Sequence, residues 1–68
     1  MTLLPHQQRV IDEKAELDSK LEKLGHFIGT SLHWANVPEA EEERMHRQHE
    51  AMVAYSNILG ERIAAFAD

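Results

Sequence analysis

The chain has 68 residues, twelve acidic against seven basic, a net charge of −5 and no cysteine. One domain at most fits in that length, and below roughly 70–80 residues a lone core rarely supplies more than about 3–5 kcal/mol, so such chains need a staple. The missing cysteines exclude a disulfide or a thiolate zinc site, the acidic balance argues against gripping a DNA or RNA polymer by its phosphates, and no stretch approaches the ~20 apolar residues of a membrane span. Oligomerisation is the remaining device. With no signal-peptide pattern in Met1-Thr2-Leu3-Leu4-Pro5-His6, the cytoplasm is the expected compartment.

The first element is a helix over about 5–28. Val10, Leu17, Leu21, Leu24 and Ile28 follow the three-and-four spacing of a helix-packing seam, with Leu3 one heptad before Val10. Glu13-Lys14-Ala15-Glu16-Leu17 is rich in helix formers. Gly25 could end this helix, but Ile28 continues the seam, so the exit is expected at Gly29. A connection over about 29–36 follows, carrying the turn formers Gly29, Thr30, Ser31 and Asn36.

The second element is a helix over about 37–67. Asn36 and Glu39 have capping-box spacing, Pro38 suits a first turn, and Glu39, Glu41, Glu42 and Glu43 favour the positive end of a helix dipole. Met45, Met52, Leu59 and Phe66 recur at intervals of seven. A helix from Pro38 to Ala67 would be ~45 Å long, against a radius of gyration of ~11 Å for a compact chain of this size. The fold class is therefore all-α, an antiparallel helical hairpin with a short N-terminal segment. Its exposed faces call for partner subunits in a compact homo-oligomer.

Several polar residues interrupt the apolar pattern. Lys14 sits one heptad before Leu21 and Ile28, where it either snorkels outward or presents a cation to a cavity between helices or subunits. Gln48, Tyr55 and Arg62 form a row beside the methionine row. Tyr55 could be core and Arg62 could pair with an acid; alternatively they offer an aromatic face and a fork suited to phosphate. Ser56 and Gly60, four apart, would permit close approach of another helix backbone. Glu43 and His46 have the Glu-x-x-His form of carboxylate-bridged metal bundles, and His46 and His49 can share a face. The carboxylates such a site needs from the first helix, Glu13, Glu16 or Glu22, lie off the apolar rows, and His6, His26 and His33 show no ligand spacing. A metal bundle is thus a lesser alternative, and no metal or other cofactor is expected. The glycines of Gly25-His26-Phe27-Ile28-Gly29-Thr30 read as a helix exit, or as a place where backbone amides approach a ligand. No nucleophile motif, phosphate loop or acid–base pair points to an enzyme.

These residues together resemble a known family. His6-Gln7-Gln8-Arg9-Val10-Ile11, Glu13-Lys14-Ala15-Glu16-Leu17 and Lys23-Leu24 with Phe27-Ile28 carry the likeness on the first helix. Arg44-Met45 with Gln48, Met52 with Tyr55-Ser56, and Leu59 with Arg62-Ile63 carry it on the second. The pattern, from about residue 5 to residue 66, is similar to the short phage helical-hairpin proteins that act as cyclic-nucleotide sponges against CBASS immunity, whose hairpin also occurs in anti-Thoeris sponges. The resemblance implies a homohexamer that binds cyclic dinucleotides or cyclic trinucleotides between protomers without cleaving them. It implies ligand-binding roles for Arg9, Lys14, His26, Phe27, Gly29, Thr30, Tyr55 and Arg62. The chain departs from the family at two dinucleotide-pocket positions. It has Lys14 where many relatives have an aromatic residue, and Gly29 where they often have a lysine. Either that pocket is altered, or Lys14 replaces the missing cation. The positions matching the trinucleotide-type pocket, Thr30 and Arg62, are both present. The competing reading without a nucleotide is an adaptor oligomer that binds another protein through its acidic surface.

Overall fold

A computed structural model describes residues 2–30 and 35–67, with the side chain of Ala67 outside that description. Ser31 and His33, which the sequence places in the connection, lie outside the described residues. The chain is an antiparallel helical hairpin. Helix α1 spans Pro5–Gly29, helix α2 spans Glu39–Ala64, and a single 3-10 turn, Ala65–Ala67, closes the second arm.

Local chemistry explains the helix ends. Pro5 stands at the first position of α1, where its missing N–H costs nothing. Gln7 reaches back so that its Oε1 accepts the backbone N–H of Leu4 at 2.9 Å. At the far end the helix runs through Gly25 to Gly29. Thr30 closes it, its N–H donating to the Phe27 carbonyl at 3.2 Å and its hydroxyl to the His26 carbonyl at 2.7 Å.

The start of α2 differs from the capping box expected at Asn36. The cap is Pro38, no side chain bonds the first-turn amides, and the Pro38 carbonyl accepts the N–H groups of Glu41 and Glu42 at 3.0 and 2.9 Å. The extended ψ of 152° at Leu4 and 147° at Pro38 marks both as residues outside the helical turn. Glu39, Glu41 and Glu42 in the first turn meet the dipole electrostatically instead.

The seam between the helices is apolar but thin. Leu17, Leu21, Leu24 and Ile28 on α1, with Met45, Met52 and Ile63 on α2 and Phe66 beyond it, are only partly covered. Among the described residues, Val10 and Leu59 are the only buried apolar side chains, and only Leu59 is fully covered. The extents are 49 × 16 × 14 Å and the radius of gyration is 15.5 Å, well above the ~11 Å of a compact chain. Two helices side by side have one mutual interface, so half-covered side chains are the geometric consequence.

Candidate functional site

The seam has one polar interruption, and it is built from both helices. Lys14 Nζ donates to Asp18 Oδ2 at 2.7 Å, one turn along α1, and to Ser56 Oγ of α2 at 3.0 Å. The Ser56 hydroxyl donates in turn to Asp18 Oδ1. Ser56 is 6% exposed and is the only polar residue buried among the described ones. Its donor and acceptor capacity are both used, so its burial carries no unmet hydrogen bond. The hydrogen bonds from Lys14 and then from Ser56 hold the Asp18 carboxyl below its ordinary pKa of 3.8, outweighing the opposing effect of partial burial.

Gly60 completes this arrangement. A Cβ there would stand 3.4 Å from Lys14 Cε. Gly60 thus lies against the lysine stem across the seam, one turn beyond Ser56. Lys14 does not snorkel freely, because an acid and a hydroxyl of its own chain hold its ammonium.

Cross-helix contacts set the register. Lys14 meets Gly60, Asp18 meets Ser56, and a Cβ on Gly25 would stand 3.3 Å from His49 Nε2. In each pair the two numbers sum to 74, so a residue of one helix lies level with the residue whose number completes that sum. Thr30 is thus level with Arg44, and Arg62 with Asp12. At ~1.5 Å per residue the eighteen positions between those levels span ~27 Å.

This register divides the expected ligand residues. His26, Phe27, Gly29 and Thr30 lie at the connected end of the hairpin, while Arg9 and Arg62 lie at the open end and Tyr55 stands between. Arg9, His26, Gly29, Tyr55 and Arg62 are exposed; Phe27 and Thr30 are half-buried. Helical phase puts Arg9, Phe27, Tyr55 and Arg62 on one side of the hairpin, and the Lys14–Asp18–Ser56 group on the other. One chain does not bring Thr30 and Arg62 together.

The sequence reading missed Asp18. Its signal was the spacing of four from Lys14, which puts the two on one helical stripe. It also missed the open cleft of about 610 Å³ along Ser19, Glu22, Lys23 and His26. Those four side chains are exposed and share the side of α1 turned away from α2, so they form one wall and enclose no ligand. His49 faces α1 but meets Gly25 there, and no three histidine or carboxylate side chains among the described residues converge on a common point. No described helix is long and apolar enough to cross a membrane.

Comparison with known families adds the deciding observation. The Sequestin family model matches residues 4–65, which is both helices and the connection. The chain belongs to the Sequestin family. This agrees with the likeness to the phage sponge proteins drawn from the helix motifs, and it makes the hairpin a sponge-type, sequestering module. No curated protein and no solved structure matches the chain.

Proposed function

We propose that this Sequestin hairpin assembles into a homo-oligomer in the host-cell cytoplasm and sequesters cyclic oligonucleotide messengers without cleaving them, so that CBASS effectors are not activated. The family match over residues 4–65 carries this reading. The register supports an assembled site, because Thr30 and Arg62 can share a ligand only if they come from different copies.

The ligand chemistry follows from the side chains available. Arg62 offers a planar donor fork to a phosphodiester, and it makes no ion pair with any described residue of its chain. Thr30 and the backbone around Gly29 offer small polar contacts at the helix exit. Arg9, on the same side and end as Arg62, adds positive charge. A cyclic trinucleotide is preferred over a dinucleotide. Lys14 is the only candidate to replace the cation absent at Gly29, and its ammonium is bound by Asp18 and Ser56. Releasing it would break that group.

Isothermal titration of the untagged protein with a panel of cyclic dinucleotides and trinucleotides tests this directly. The expected result is tight binding of at least one cyclic trinucleotide, with the ligand recovered intact. Absence of binding across the panel, together with capture of a discrete protein partner, would favour the adaptor oligomer instead.

A further inference from the structure

The apolar seam does not choose its own register. Val10, Leu17 and Leu24 repeat at seven on α1, and Met45, Met52, Leu59 and Phe66 repeat at seven on α2. Sliding α2 along α1 by one heptad therefore returns apolar rows to apolar rows. The slide that lowers the level sum from 74 to 67 also keeps the helices overlapped. It sets positions 5–28 of α1 beside positions 39–62 of α2. It also brings Gly29 level with Pro38, and the eight residues between them are enough to join two adjacent helix ends. Close fit cannot decide between the alignments, because among the described residues only Leu59 is fully covered.

The polar group does discriminate. Lys14 and Asp18 lie four apart on one helix and stay paired in any alignment. Ser56 reaches them from the other helix, accepting from Lys14 Nζ at 3.0 Å and donating to Asp18. After the slide to 67, Ser56 stands level with Ile11 and Asp18 with His49. The opposite slide, to 81, puts Ser56 level with Gly25 and Asp18 with Ile63. In both, the serine loses its two partners. Ser56 is the only polar residue buried among the described ones, and an unpaired hydroxyl there disfavours either slipped alignment roughly tenfold or more.

We propose that the Lys14–Asp18–Ser56 group is a register lock, which selects one alignment of the helices from the heptad-related set that the apolar rows leave open. It contributes uniqueness and little net stability. Replacing a whole hydrogen-bonded ion group in an interface with apolar side chains is commonly neutral or stabilising, whereas removing a single member is destabilising. The slide to 67 would carry Arg62 ~10 Å along α1, from the level of Asp12 to that of Pro5. The lock thereby positions Arg62 relative to Thr30. That consequence for a ligand rests on the sequestering function proposed above; the lock itself does not.

Disulfide trapping reads the alignment without any ligand, since the sequence has no cysteine. The pair Gly25→Cys/His49→Cys reports the present register, where a Cβ on Gly25 would stand 3.3 Å from His49 Nε2. The pair Gly25→Cys/Glu42→Cys reports the slide to 67, because Glu42 lies one heptad from His49, ~10 Å too far to bridge in the present register. Each pair is placed in the parent chain and in Lys14→Leu/Asp18→Ala/Ser56→Ala, and disulfides within one chain are counted by mass after denaturation. In the parent, the first pair should close at least tenfold faster than the second. In the apolar chain the two should close at comparable rates, with an unfolding midpoint equal to the parent's or higher. An apolar chain that keeps the parent's preference for the first pair would overturn the lock, as would one whose midpoint falls below that of Ser56→Ala alone. In titration calorimetry the apolar chain should bind a cyclic trinucleotide at least tenfold more weakly than the parent. Undiminished binding by a chain shown to slip would overturn the positioning of Arg62. If the parent binds no cyclic nucleotide, the sequestering reading falls and the disulfide rates alone decide the lock.

Discussion

Replacing Ser56 with alanine tests whether the polar group inside the seam holds the hairpin together. Ser56 is 6% exposed and bonds two charged side chains across the interface, accepting from Lys14 Nζ at 3.0 Å and donating to Asp18. Losing a hydrogen bond to a charged group costs about 1.5–3 kcal/mol. The low end applies, because the Lys14 and Asp18 side chains remain 29% and 44% exposed, stay paired with each other and are screened by water. Alanine recovers up to about 0.5 kcal/mol of helix propensity. The net expectation is a loss of about 1 kcal/mol, which for a domain of this size lowers Tm by about 4–8 °C. Thermal unfolding followed by circular dichroism, at one fixed protein concentration because assembly contributes to stability, reads this out. Asn57→Ala, exposed on the same helix, is the control. A Ser56→Ala protein as stable as the parent would refute the claim that this hydroxyl bridges the helices.

Other substitutions probe the same contacts and the ligand site. Gly60→Ala places its Cβ 3.4 Å from Lys14 Cε, an ordinary contact that leaves the held ammonium in place, so the gain in helix propensity prevails and unfolding should shift up by up to about 1 kcal/mol; Gly25→Ala meets the His49 ring at 3.3 Å and should gain less in the same assay. Asp18 has a depressed folded-state pKa, so its stabilising contribution is complete above its unfolded value near 3.8 and is lost as pH falls through the lower folded value. The parent should therefore lose stability over that acidic window more steeply than Asp18→Asn, and parallel acid titrations would contradict the assignment. Arg62→Ala should abolish cyclic trinucleotide binding in titration calorimetry while the native mass of the oligomer is unchanged.

Much of the fold was legible because helix packing writes its period into the sequence. Val10, Leu17, Leu21, Leu24 and Ile28 fall on the face that meets α2, and the run through Gly25 to Gly29 follows from Ile28 needing its place on that face. The start of α2 was less legible. An asparagine three residues before a glutamate can cap a helix, but Pro38 stands between them and takes the cap position itself. The site was legible in part. Lys14 and the Ser56/Gly60 pair were each recognisable as exceptions to the apolar pattern, yet only the register shows that they meet across the seam. Asp18 was hidden because an acid four residues from a lysine is common on solvated helices, and nothing local reveals that a buried serine from the other helix joins them. The separation of Thr30 from Arg62 follows from the hairpin itself, since one stands at the connection and the other near the far end of a long helix; the register adds its size, ~27 Å.

Native mass spectrometry of the untagged protein, alone and with an equimolar panel of cyclic dinucleotides and trinucleotides, tests the central claim most directly. The expected result is a discrete homo-oligomer in both samples, and in the second an added mass matching one or more intact cyclic trinucleotides held by the assembly. A monomer that binds the ligand by itself, or an oligomer that binds none of them, would contradict it.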